Sequence, residues 1–190
     1  DFESQNYKEA LVKFTKASNL DVKNRDAAFF KYITMLKVGR EIDEVKSLWT
    51  NFLKNKNFKP YHFLYHADIL YNLKLYESLF TVLKDGLTYF PNNPYLLNFY
   101  AYVILEKYKN EKETETKDDK LIQYALESIK KCLKETKNIE VEFIDTYFLI
   151  LEELGEVEKI KKELGGYIYQ FPDSQIIKAW AKKILKEDEK

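Results

Sequence analysis

"LYESLFTVLKDGLTYFP", residues 75–91, reads as one amphipathic helix closed by a proline, and its spacing recurs along the chain. Tyr76, Leu79, Leu83 and Gly86 follow one another at intervals of three and four, which places them on one face of an α-helix. The same slots recur in "NYKEALVKFTKAS", residues 6–18, as Tyr7, Ala10, Phe14 and Ala17. Small residues in such a stripe let a second helix approach closely, and aromatic ones fill the space beside it. "EIDEVKSLWTNFL" supplies Ile42, Val45, Trp49 and Phe52. "LIQYALESIKKCL" supplies Ala125, Ile129 and Cys132, and "EVEKIKKELGGY" supplies Val157, Ile160, Leu164 and Tyr167. Ala10, Val45, Leu79, Ala125 and Ile160 therefore share one slot, at separations of 35, 34, 46 and 35 residues. One interval carries about 12 extra residues; the rest keep a period near 34.

Two aromatic–proline steps punctuate this rhythm: "TYFPNNPYL" at 88–96 and "YQFPDSQ" at 169–175. Proline lacks an N–H and disfavours helix in the residue before it, so Pro91 and Pro172 read as stops. They lie 81 residues apart, two periods plus the insertion. Asn92 and Asn93 suit a turn and an N-cap, and Pro94 suits the first turn of the next helix. Helices are expected over 6–18, 24–38, 41–55, 59–73, 75–89, 93–108, 119–135, 139–153, 156–170 and 173–188. The extra residues fall in "KYKNEKETETKDDK", 107–120, a charged stretch expected to be a solvated loop with helical extensions on both sides. A docking arm for a charged partner is the sharper reading of that stretch.

The period, the run Tyr7-x-x-Ala10-x-x-x-Phe14-x-x-Ala17 and the ending Gly86-Leu87-x-x-x-Pro91 resemble the tetratricopeptide repeat, a helix-turn-helix unit of about 34 residues. Ala67 and Ala101 keep that family's small-residue slot in two first helices. Its Trp and Leu-Gly signatures are missing, and Val22, Asn57 and Lys137 stand where other units would end in proline. The resemblance implies an all-α, right-handed superhelical α-solenoid of about five helix-turn-helix repeats with a C-terminal capping helix. One domain, 1–190, is expected, its first repeat truncated as though the chain began inside a longer protein. In "IIKAWAKKILKEDEK", Ile176, Ile177, Trp180 and Ile184 share one side and lysines the other, as in a capping helix.

By the same resemblance, first helices line a concave groove at Phe29 and Ile33; at Tyr61, Leu64, Asp68 and Tyr71; and at Tyr95, Asn98, Tyr102 and Leu105. Many members clamp a partner's C-terminal carboxylate there with Lys, Asn and Arg. Only Asn98 matches that set, with Lys37 peripheral, so the clamp is absent. What remains is tyrosine and aliphatic, suited to an apolar or aromatic segment, or an amphipathic helix, of a partner protein. A returning helix could instead bury the same tyrosines internally. A second reading is a structural subunit of a cell-envelope or secretion complex, its surface permanently covered by another chain.

Composition narrows the classes further. Among 190 residues, 45% are hydrophobic and 33% charged, a globular balance. The 31 basic and 31 acidic residues cancel, which argues against a nucleic-acid partner. RNA recognition would need arginines beside the aromatics, and only Arg25 and Arg40 occur. No apolar run is long enough for a membrane span. The lone cysteine, Cys132, fits a reducing compartment, with the cytoplasm slightly favoured over a periplasmic or membrane-tethered setting. His62 and His66 in "YHFLYHAD" share a helical face, but Asp68 points away from them, and zinc needs three or four protein ligands. Packing histidines and a core thiol are the expectation. Asp118–Asp119 and Glu152–Glu153 read as solvated faces, and no phosphate-cradling loop or nucleophile elbow occurs. The chain is therefore expected to be non-catalytic and to need no cofactor or metal.

Overall fold

The computed structural model describes residues 6–21, 24–39, 42–54, 58–111, 119–136 and 139–187. Among them are ten α-helices and no strand: α1 (Tyr7–Leu20), α2 (Arg25–Lys37), α3 (Ile42–Lys54), α4 (Pro60–Asn72), α5 (Tyr76–Tyr89), α6 (Pro94–Glu111), α7 (Asp119–Glu135), α8 (Val141–Glu153), α9 (Val157–Gln170) and α10 (Gln175–Glu187). Each expected helix is present, with ends displaced by at most three residues. The chain falls into two compact units, 1–82 and 83–190, with the boundary inside α5.

Sequence neighbours pack as hairpins in each unit. In the first, α1 lies on α2 and α2 on α3; in the second, α6 lies on α7, α7 on α8, α8 on α9 and α9 on α10. Helices also pack on the next but one: α2 on α4, α6 on α8 and α8 on α10. That second set defines an all-α solenoid, in which a hairpin completes its core with the adjoining hairpin. The slot found by periodicity is the centre of this packing. Ala10, Leu79, Ala125 and Ile160 are all at most 1% exposed, while the side chain of Val45 lies outside the described residues. Ala67 and Ala101, the small residues of α4 and α6, are fully buried as well.

The punctuation has a physical basis. After α5, the Asn93 amide donates to the Phe90 carbonyl at 3.1 Å, and the Asn93 side chain accepts the Leu96 amide at 3.0 Å. After α9 the arrangement repeats: Ser174 N–H to Phe171 O at 3.1 Å, and Ile177 N–H to Ser174 Oγ at 3.3 Å. Each aromatic–Pro step is thus a turn that delivers an N-cap to the next helix. The opposite turns use a different device. Gly39, Lys74 and Gly155 take positive φ of 73°, 58° and 74° just after α2, α4 and α8. After α4, Leu75 N–H returns to Leu70 O at 2.9 Å, and after α8, Glu156 N–H returns to Leu151 O at 2.8 Å. This is the left-handed helix ending that favours glycine.

Part of the insertion is helix. The α6–α7 hairpin reaches Glu111 on one side and starts at Asp119 on the other, and the remainder of 107–120, including any docking arm, lies outside the described residues. On α10, Ile177, Trp180 and Ile184 are buried while Lys178, Lys182 and Lys183 are exposed, as the sequence pattern indicated, but Ile176, expected beside them, is only half-buried. On α1, Val12 and Leu20 remain well exposed. No described helix is long and apolar enough to cross a membrane.

Lys74 and Gly155 give opposite expected outcomes. Space around Gly155 is open, so Gly155→Ala tests backbone strain alone and should destabilise the second unit by about 1 kcal/mol. Lys74→Gly should stabilise the first unit by up to about 1 kcal/mol. Urea denaturation followed by Trp49 for the first unit and Trp180 for the second reads both.

Candidate binding surface

The outward stripe of α4 follows from its burial. Phe63, Ala67 and Leu70 turn into the core, leaving Tyr61, Leu64, Tyr65, Asp68 and Tyr71 exposed or half-buried on the other side. Four of these five are residues the sequence assigned to a groove. On α2 the assignment needs correction. Phe29 and Ile33 are both fully buried, so neither offers a face to a ligand. Their register is off by one: Phe30 is the half-exposed ring, 5.4 Å from Phe14 and 6.1 Å from Tyr65. Asp26 lies one turn earlier and accepts the Tyr61 hydroxyl at 2.7 Å. That bond holds the Asp26 carboxyl below its usual pKa, while burial, helped by Asp26, pushes the Tyr61 phenol up to about 12.

In the second unit Tyr95 is exposed and Asn98 and Tyr102 are half-buried, but Leu105 is fully buried and belongs to the core, a second correction. Asn98 Oδ1 is shielded from solvent and has no hydrogen-bond partner among the described residues. The Tyr95 hydroxyl donates to Glu140 at the start of α8. Glu142, Asp145 and Glu152 continue along α8; Trp180 Nε1 of α10 donates to Asp145 at 2.7 Å, and Lys183 pairs with Glu152. Asp145, Ile176, Ala179, Trp180 and Lys183 line a shallow hollow of about 210 Å³. Sequence reasoning missed Asp26, Phe30, Tyr65, Glu140, Asp145 and Trp180. The signal was present: Asp26–Tyr61, Phe30–Tyr65 and Asp145–Trp180 are each separated by 35 residues, one period.

The residues of potential chemistry sit inside. His62 and His66 are buried between α2 and α4, His62 taking the Lys59 amide on Nδ1 at 2.8 Å and His66 meeting the Tyr32 hydroxyl. Cys132 is buried and its thiol donates to the Pro94 carbonyl at 3.2 Å. Burial pushes that thiol up to about 12.

The chain matches no family model and no curated protein. Among solved structures it is similar to human IFIT1, determined as a dimer with m7Gppp-AAAA, at 16% identity and a TM-score of 0.58. It is also similar to a monomeric IFIT1 mutant with Gppp-AAAA, at 15% identity and a TM-score of 0.58. Each match covers 93% of this chain but only 45% of the other. The likeness is one of fold. It nevertheless overturns the exclusion of nucleic acid: chains of this fold are solved with m7Gppp-AAAA and Gppp-AAAA, so a balanced total charge is no ground for ruling such a partner out.

Cys132 provides a test of the packing. At pH 8 the folded protein should react with a thiol reagent at least about a thousandfold more slowly than it does in urea, because the thiolate is scarce and enclosed. Timed release of the reagent's chromophore checks this.

Proposed function

We propose that this chain is a non-catalytic binding scaffold. Its repeats are read as divergent tetratricopeptide units, and the outward side of α2 and α4 in the first unit holds an apolar or aromatic segment of a partner protein. The observation that carries the reading is the stripe Tyr61, Leu64, Tyr65, Asp68 and Tyr71 on α4, which leaves aromatic rings at a solvated surface. Tyrosine gives a large rigid contact at low entropic cost and a hydroxyl that specifies orientation. The non-catalytic part rests on both histidines and the cysteine being committed to packing.

RNA is the second reading, favoured by the ligands of the similar structures. Charge speaks against it. In the first unit Asp26 and Asp68 lie outward on α2 and α4; in the second, taken by itself, Glu142, Asp145 and Glu152 lie along α8, with Lys183 reaching in from α10. On the first unit phosphates would meet Asp26 and Asp68, whereas a peptide carrying apolar and basic side chains would meet complementary charge there.

Selection from a displayed peptide library should enrich apolar, aromatic and basic residues. Tyr65→Ala with Asp68→Ala should weaken the selected peptides about tenfold or more while leaving the urea midpoint nearly unchanged. No enrichment, together with tight and steeply salt-dependent binding of a capped oligoadenylate, would replace this reading with the RNA one.

A further inference from the structure

The chain has two histidines, and both lie at one helix junction. They sit one turn apart on α4, 1% and 4% exposed, facing α2 and α3. We propose that the α2–α4 junction is an acid-sensitive clasp: as pH falls from about 7.5 to 5, the first unit opens locally between these helices while the second, which has no histidine, stays closed.

The geometry fixes His62 in its neutral form. Its Nδ1 accepts the Lys59 amide at 2.8 Å, so the ring proton is on Nε2, 3.3 Å from Asp26 Oδ1. A second proton on Nδ1 would face another donor and break the start of α4. The surroundings from α2 are Asp26 and the Phe29 ring at 4.6 Å; from α3, the Phe52 ring at 5.0 Å; and from its own helix end, Lys59 and Tyr61. Burial lowers the His62 pKa, and the exposed Asp26 pulls the other way without overcoming it. His66 has no such counter-charge among the described residues. Tyr32 of α2 meets it edge-on at 4.9 Å and Trp49 of α3 at 4.5 Å, and neither supplies an anion. Burial brings its pKa down to about 3.

The sign is unambiguous. Both folded pKa values lie below the unfolded histidine value near 6.5, so the open form binds more protons and gains as pH falls below that value. Each pH unit beyond it favours opening about tenfold for a group that stays neutral when closed; at pH 5 His66 alone contributes about 30-fold. Asp26, with its lowered pKa, titrates below this window. Opening would dismantle the Asp26–Tyr61 and Phe30–Tyr65 contacts, so the outward face of the first unit would be lost in acid whatever occupies it.

Hydrogen exchange read by mass spectrometry at pH 7.5 and 5.0, corrected for the chemical exchange rate, tests this. Protection of 25–37 and 60–72 should fall about 30-fold, that of 141–153 and 175–187 less than about threefold, and His66→Phe should remove most of the difference. If that variant does not fold, the proton NMR titration of the two imidazole rings in the parent decides. His66 should hold its neutral shift to pH 5 in the closed state, and titration near 6.5 with protection intact would overturn the proposal. Equal loss of protection in both units would overturn it too.

Discussion

A two-helix hairpin has two apolar faces and can cover only one by itself. Everything in this chain depends on how the second is covered: α2 must find α4, α6 must find α8, and α8 must find α10. These next-but-one contacts carry direct polar links, including Asp26 to Tyr61, Tyr95 to Glu140 and Trp180 to Asp145. In each, an aromatic donor meets a carboxylate on the neighbouring even-numbered helix. Such bonds contribute modestly to net stability, but a mispaired register would leave a buried indole or a half-buried carboxylate unsatisfied. They therefore select one register among several that hydrophobic packing alone would tolerate.

The period was legible in the sequence because packing imposes it. Ala10, Leu79, Ala125 and Ile160 recur because the closest approach between helices recurs, and a small or aliphatic residue is needed there each time. The aromatic–proline steps were legible for a similar reason: Phe90 and Phe171 offer the turn carbonyls, and Asn93 and Ser174 the caps. The surface was less legible. Phe29 and Phe30 are adjacent and chemically identical, and only the core's choice of Phe29, which packs on His62 and Phe52, sends Phe30 outward. A register carried across from another family has an uncertainty of one residue, enough to exchange core for surface. Leu105 failed in the same way, sitting one position from the half-buried Glu106. Glu140 was hidden because its partner Tyr95 lies 45 residues away, across the insertion, and a search at the ordinary period passes over it.

The two units solve the same packing problem with different material. The first is aromatic at its centre, with Tyr32, Trp49 and Phe52 stacked in series and His62 and His66 edge-on to them. The second is mostly aliphatic, built on Leu96, Ile104, Ile122, Ile129 and Leu151, with Phe148 and Trp180 in edge contact near α10. Aromatic packing tolerates imidazole as one more flat ring, which is why both histidines are found there. The consequence is a pair of core histidines in one unit and no histidine in the other. Outside, Tyr61, Tyr65 and Asp68 lie along α4 in the first unit, and Tyr95 meets Glu140 at the start of α8 in the second.

The register of hairpin on hairpin is measured most directly by a double-mutant cycle at one polar link. Trp180→Phe and Asp145→Ala, singly and together, report whether the indole N–H of α10 bonds the carboxylate of α8 one period away. This account requires a coupling energy of about 1–3 kcal/mol, because the link is partly buried and charge-assisted. Strict additivity, with the double variant losing the sum of the two single losses, would mean that α8 and α10 do not meet at this register, and the stacked-hairpin description would fail.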